Sequence, residues 1–459
     1  MTSQIIRELI VGKVGQALEL ARREGALNLD TLPPVAVERP ANEEHGDFAT
    51  SLPLRLARAC RIDPMKIAED MAGFISPGEE IERVWATAPG FVNFRLRNSW
   101  LLEQVEHIRR EGQSYGQLRS PSPKKTIVEF VSVNPTGPVH VGHTRGAVLG
   151  STLARVLQAA GHDVTTEYYI NDSGSQMEAF YASVHARYKQ TLGQEAALPA
   201  NGYAGEYITD LAQEILAEEG DRFLFMEEEQ AVKELGSIGL RKMVELIKDD
   251  LLQIRVEFDN WFSEGTLYET GVYDETMAIL EGGNHIVERE GARWFNSTAL
   301  AEDKDNVLVR SSGSPTYFAS DVAYHHNKFL RRQYDTAINI WGADHQGHVP
   351  RMKAAAAALG VDPAQLNITI AQMVTLKRGK ELVKASKRAG EFVTLRELAD
   401  EVGADACRYF FLARTPSTHM EFDLELAKKE SSENPVYYIQ YGHARIAGIL
   451  FNARQQGID

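Results

Sequence analysis

The run at 126–133, TIVEFVSV, is β-branched and apolar over the length of a strand, and a loop bearing Gly and Pro, NPTGPVHVGHTRG, follows it directly. A helical pattern then runs through Ala160, Gly161 ends it, and DVTTEYYI at 163–170 reads as the next strand. Strand, helix and strand in that order imply a right-handed crossover between parallel strands, and hence an α/β doubly wound sheet. Open sheets of this kind bind ligands outside the carboxyl ends of their strands, so the loop at 134–143 is where chemistry is expected.

The rest of the chain divides around this unit. A length of 459 residues suggests about three domains. Residues 1–24 read as an amphipathic helix, and 28–45 as a polar loop. Helices are expected at 47–59 and from Asp63, with Pro64 suited to a first turn. Two short strands around Pro89–Gly90 fill 84–96, and a helix covers 99–111. The Gly, Ser and Pro of 113–125 mark a linker. An α+β amino-terminal domain is therefore expected at 1–115, followed by a catalytic domain at 116–420. Residues from about 171 to 300 read as mostly helical and acidic, as in EILAEEGDRFLFMEEEQ, and are expected to be an insertion between two halves of the sheet. The βα alternation resumes with VLVRS at 307–311, TAINIWGADH, a small-residue helix at 346–359 and NITIAQMVTL at 367–376. Helices are expected at 396–414 and 423–450.

A net charge of −15 argues against a generally basic nucleic-acid coat, though not against a local basic track. The amino terminus lacks a secretory pattern and no apolar run reaches membrane-spanning length, so a cytoplasmic location and no membrane partner are expected. Two cysteines, Cys60 and Cys407, lie in apolar helical sequence and are expected to be buried; they are too few for a Cys-rich zinc site.

Within 134–143, His140 and His143 are three apart with Gly142 between them. If a helix starts near Val141, both imidazoles fall on one side of its first turn, over unpaired backbone N–H groups that suit phosphate. Gly142 leaves room for an adenine ring against the backbone. A two-histidine metal site is the alternative, but no Asp, Glu or Cys in the loop completes one, and no metal site is expected. The pattern is neither that of a P-loop nor of a dinucleotide fingerprint. A second feature follows the last expected strand. Between Lys377 and Arg388 lie six basic residues and one acid, Glu381, with Gly379 and Gly390 expected as hinges for a loop that closes over a triphosphate. A solvated basic turn is the alternative there.

Together HVGH and KASKR resemble the two signatures of class I aminoacyl-tRNA synthetases. Their surroundings resemble the bacterial arginyl-tRNA synthetase family: VEFVSVNPTGPVHVGHTRGAVLG (128–150), YYINDSGSQM (168–177), YFASDVAYHHNK (317–328), WGADHQGHVPRMKAA (341–355), ASKRAGEFVTLREL (385–398) and NPVYYIQYGHARI (434–446). GDFAT (46–50) and APGFVNFRL (88–96) resemble that family's first domain.

The resemblance implies a Rossmann-type catalytic domain that joins arginine to ATP as arginyl adenylate and then passes it to the 3′-terminal adenosine of tRNA(Arg). It also implies that tRNA is usually needed for the first step. By motif, Glu129, Asn134, Tyr317 and Asp321 would contact L-arginine. His140, Gly142, His143, Lys384, Ser386 and Lys387 would hold ATP, which arrives with Mg2+, and His140, His143 and Lys387 would act on the transition state. Asp344 would face either substrate. Acids of this number suit a guanidinium, whose five fixed donors ask for paired acceptors. Losing one buried charge-paired acceptor costs about 2–5 kcal/mol.

Two departures stand out. Ala385 replaces the Met of the family's KMSKR form, a packing change, and Gln346 and His348 stand where His and Tyr are common. The last helices, 421–459, resemble the start of the family's helical anticodon-binding domain, most of which is expected to be missing. A monomer is expected. Two other readings keep the same loops: a small-molecule nucleotidyltransferase, and a non-catalytic tRNA-binding paralogue or fragment.

Overall fold

The computed structural model describes residues 2–28, 31, 33–300, 304–383 and 393–458, and the chain forms two compact units, Met1–Leu118 and Arg119–Asp459. In the first unit, α1 (Thr2–Arg23) lines one core with Ile10, Val14, Ala17 and Leu18. That core also takes Leu52 and Leu56 of α2 (Leu52–Cys60) and Ile67 and Met71 of α3 (Pro64–Phe74). These helices cover an antiparallel sheet of β1 (Phe48–Thr50), β2 (Ile81–Thr87) and β3 (Phe91–Leu96), in the order β1-β3-β2. The helix expected over 47–59 therefore begins only at Leu52, two residues after a short strand ends. Asp47 marks that strand's start, its Oδ2 accepting the Leu96 amide at 2.8 Å. The unit ends in α4 (Asn98–Glu111). Cys60 is only half-buried, against expectation, while Cys407 in the second unit is buried.

The second unit is built on five parallel strands: β4 (Lys125–Glu129), β5 (Asp163–Ile170), β6 (Asn260–Ser263), β10 (Thr336–Gly342) and β11 (Leu366–Ala371). Their order is β11-β10-β4-β5-β6. Successive strands move outward from β4 on one side and then resume on its other side, so the winding reverses between β4 and β10. Alternation along β4 explains the two faces. Val128 packs into the core shared with Val148 of α5 (Val141–Ala159), whereas Ile127 packs with Val322 of α11 (Tyr317–His326) and Met352 of α12 (Val349–Ala358). Helices thus cover both faces, as the sequence led us to expect.

Between β5 and β6 run α6 (Ser175–Thr191), α7 (Glu206–Glu219) and α8 (Glu228–Gln253). These form the helical part of the expected insertion, although β6, inside the same span, is an edge strand of the main sheet. After β6 come α9 (Gly265–Glu269) and α10 (Val272–Gly282). A separate antiparallel sheet follows, β7 (Ile286–Arg289), β8 (Ala292–Phe295) and β9 (Asn306–Val309), so the VLVRS segment does not return to the parallel sheet. The expected single strand at 367–376 is also two. The chain leaves the main sheet after Ala371, and β12 (Val374–Arg378) joins β13 (Glu381–Leu382) and β14 (Met420–Asp423). The end of the unit is helical: α13 (Leu395–Leu412), α14 (Leu424–Lys428) and α15 (Pro435–Gln455). Among the described residues no helix is long and apolar enough to cross a membrane.

Candidate active site

β4 stops at Glu129 rather than running to Val133, because Val131 and Ser132 take φ of 69° and 43°. Left-handed backbone is costly for a β-branched residue and is held only where surrounding contacts over-determine it. Here the turn swings the Ser132 hydroxyl back under the strand end. Its Oγ donates to Glu129 Oε1 at 3.1 Å and accepts the Tyr169 amide at 3.1 Å. The same turn sends the chain across the sheet's carboxyl edge, at the point where the winding reverses.

Asn134 lies next on this loop. Its Oδ1 accepts from Asn171 Nδ2 at 3.0 Å, and its Nδ2 donates to Gln176 Oε1. Neither Asn171 nor Gln176 stood out in the sequence, although both lie in the YYINDSGSQM stretch.

His140 is the N-cap of α5, with Nδ1 accepting the Gly142 amide at 3.1 Å. One of the helix-start amides expected to be open to phosphate is therefore already used. Because Nδ1 accepts, the neutral ring carries its proton on Nε2. The His143 ring lies 3.7 Å from it, centroid to centroid, with its buried Nδ1 lacking a hydrogen-bond partner among the described residues. Burial pulls the His143 pKa down to about 3, helped by His140 beside it, and burial lowers His140 as well. Both imidazoles are neutral near pH 7 and offer N–H groups rather than charge.

The acids gather on the opposite face of the sheet. Register aligns Asn339, Glu129, Glu167 and Asn260 as one row across β10, β4, β5 and β6. α11 and the π-helical turn after it, Asn327–Arg331, pack over this row. Tyr317 and Asp321 are one turn apart on α11, whose first turn is capped by Thr316 accepting from the Ala319 amide. Tyr317 is 45% exposed at the helix start. Burial drives the Asp321 pKa up to about 7, with the negative charges of Glu129 and Glu264 adding to the shift and Arg351 and Lys328 opposing it. Burial likewise raises Glu264, a residue sequence reasoning missed, against hydrogen bonds from Ser320 and Ser173. Three acids from β4, α11 and the segment after β6 thus lie close enough for the charges of two to act on the third.

Behind them, Glu167 is fully buried and takes two bonds from Arg332, at 2.5 and 2.7 Å, and one from Tyr324 Oη at 2.5 Å. Burial opposes its charge, yet Arg332 outweighs this and holds the carboxyl below its ordinary range.

Asp344 is at the sheet's carboxyl edge, in the 3-10 turn Ala343–His348 after β10, but it does not join the buried acids. Its side chain is 80% exposed and lies 3.3 Å from His345 Nε2. His348 contacts Arg351, and Gln346 sits in the same turn. Lys384, Ala385, Ser386 and Lys387 lie outside the described residues. The ends of their segment do not: β13 leads into it, and Val393 to Leu395 follow it against the His140 loop.

The model of class I tRNA synthetases (R), catalytic domain, matches residues 104–425, and that of the arginyl tRNA synthetase N-terminal domain matches residues 6–96. The chain belongs to the arginyl-tRNA synthetase family. Among curated relatives of this family, the arginine–tRNA ligase of Dehalococcoides mccartyi is 53% identical over 457 residues, covering 99% of this chain and 82% of that protein. The arginine–tRNA ligase of Heliobacterium modesticaldum is 46% identical over 454 residues, covering 99% and 80%. The arginyl-tRNA synthetase structure of Thermus thermophilus superposes with a TM-score of 0.66 over 97% of this chain and 82% of that one; at 21% identity this likeness concerns the fold alone. Among the described residues no group of three or more His, Cys, Asp and Glu side chains stands ready to hold a metal ion.

Proposed function

We propose that this chain is an ATP-dependent arginine–tRNA ligase, joining arginine and ATP to arginyl adenylate and transferring arginine to the 3′-terminal adenosine of tRNA(Arg). The observation that carries the reading is the junction after β4, where one strand end supplies Glu129, its loop Asn134, and its helix start His140 and His143. An acidic pocket and a phosphate-suited helix start meet at the reversal of the winding.

In this reading Glu129 and Asp321 receive the guanidinium, which their acidity and partial burial favour. Asn134, held by Asn171 and Gln176, and Tyr317 fix the rest of the amino acid. The arginine carboxylate then attacks the α-phosphate of ATP. His140 and His143, neutral, donate N–H groups to the phosphate oxygens, stabilising charge that grows in the transition state. Gly142 keeps the His140 ring and the nucleotide from competing with a side chain. Lys387 takes the leaving pyrophosphate, with Lys384 and Ser386 beside it in sequence, and Mg2+ arrives as part of the ATP complex. Asp344, exposed near His345, suits the nucleoside better than the guanidinium.

Residues 1–115 contact tRNA, 116–420 carry the chemistry with about 171–300 inserted, and 421–459 begin a helical anticodon-reading region. The protein acts as a monomer in the cytoplasm. Incubating it with total tRNA, ATP and each labelled amino acid in turn tests the reading. Arginine alone should become acid-precipitable in a form released by mild base; labelling with a different amino acid would refute it.

A further inference from the structure

Lys328 is 0% exposed, the only lysine among the largest fully buried side chains of the described residues. A buried ammonium is expensive unless its charge and all its donors are satisfied. Its Nζ donates to Glu129 Oε2 at 2.6 Å and to Asn339 Oδ1 at 3.1 Å, and it lies 4.0 Å from the centre of the Tyr324 ring. Asn339 is itself fixed, its Nδ2 donating to His325 Nε2 at 2.9 Å, while His325 Nδ1 donates to the Asp321 carbonyl at 2.7 Å. This orientation needs a neutral His325 with its proton on Nδ1, and burial lowers the His325 pKa to about 3. The ammonium therefore has one place to sit, set by β10, α11 and the π-helical turn.

Glu129 is held from two sides as a result, Ser132 on Oε1 and Lys328 on Oε2. An ionised carboxylate has about four lone-pair sites, so acceptor capacity remains for a ligand after both bonds are made. A π-helical turn is rare and recurs at functional sites; here it brings Lys328 beneath the strand end.

We infer that Lys328 is a positioning residue for arginine: it fixes the plane of the Glu129 carboxylate and balances its charge, so that a guanidinium meets a preset acceptor. The inference rests on the reading of Glu129 as an arginine contact. It assigns Lys328 no contact with arginine or ATP, and it separates the pocket's charge balance from the loop that holds the nucleotide.

The test is calorimetric binding of L-arginine and of ATP, each separately, to the wild type, Lys328→Met, Glu129→Gln and the double variant. Lys328→Met should weaken arginine about thirtyfold or more, as expected for truncating a buried charge pair. ATP should change by less than about threefold, the usual scatter for independent sites. The double variant should bind arginine within about threefold of Glu129→Gln alone, because Lys328 acts through that carboxylate. Arginine affinity of Lys328→Met within about threefold of wild type, equal losses of arginine and ATP, or losses that add in the double variant would each overturn the inference. If Lys328→Met does not fold, the double variant, which removes both charges together, still decides by comparison with Glu129→Gln. Wild-type arginine affinity in Glu129→Gln would instead remove the parent reading of Glu129, and this inference with it.

Discussion

The Val141 amide donates to the Val393 carbonyl at 2.9 Å, and the Leu395 amide donates to the Val139 carbonyl at 2.7 Å. These two bonds join the start of α5 to the chain just beyond the basic segment. Thr394 then begins α13 with a reciprocal capping box to Glu397. Val393 to Leu395, which follow the basic segment, are thus pinned beside His140.

Lys387 precedes that tie in the sequence by six residues, counted to Val393. Replacing Lys387 with Ala should lower the rate of ATP–pyrophosphate exchange by at least about tenfold, because a cation on the leaving group acts mainly in the transition state. Arginine affinity should stay near wild type. A rate loss smaller than tenfold would remove Lys387 from its proposed role.

Gly142 offers a sharper steric probe. A Cβ there would lie 2.8 Å from His140 Cε1 and 2.9 Å from Nδ1, closer than real contacts allow. Ala is a better helix former than Gly, but a displaced His140 ring gives up its cap bond to this amide, so Gly142→Ala should leave thermal stability within about 1 kcal/mol of wild type. Displacing the imidazole should nevertheless raise the KM for ATP by roughly tenfold. Unchanged ATP kinetics would show that the His140 ring does not need its observed position.

Asp321 predicts a pH dependence. Its carboxyl is raised to about 7, first by burial and then by Glu129 and Glu264, with Arg351 and Lys328 opposing. A carboxyl raised in the folded state favours folding at acid pH, and that contribution fades as pH rises from about 4 through 7. Arginine has the opposite preference, since a guanidinium binds the ionised form. Arginine affinity should therefore tighten by roughly tenfold between pH 6 and pH 8, with release of a proton, and Asp321→Asn should flatten the profile. Calorimetry in buffers of different ionisation enthalpy reads the proton directly; the same profile in Asp321→Asn would contradict the assignment.

Arg145, 1% exposed on α5, predicts a stability effect. Its guanidinium donates to the carbonyls of Gln372 and Thr418 at 3.0 and 2.8 Å, and to Thr415 at 2.8 Å with Arg414 at 3.5 Å. It clasps α5 to the chain entering β12 and to the turn before β14. Arg145→Met leaves those carbonyls without their guanidinium donors and should cost about 2–3 kcal/mol in denaturant unfolding. A loss below about 1 kcal/mol would show that other contacts hold these segments together.

The sequence made the central βαβ unit legible because periodicity and punctuation agreed: 163–170 is a strand over the same residues in the structure. It overextended β4, since Val131 and Ser132 look like strand and their left-handed backbone is imposed by contacts with Glu129 and Tyr169. The apolar run at 367–376 hid a change of sheet, because both halves are half-buried strand and no Gly or Pro separates them. Short β6 was concealed within a helical region for want of length. Glu129, Asn134, Asp321 and the two histidines were named as candidates from motifs. Lys328 and Glu264 were not, because nothing in HHNKFL or FSEGT signals burial; their surroundings come from strands far away in sequence.

The central claim is arginine-specific adenylate formation, and ATP–pyrophosphate exchange with each amino acid, with and without total tRNA, measures it most directly. Exchange that needs both arginine and tRNA is the predicted result. Exchange driven by another amino acid, or proceeding without any, would contradict it.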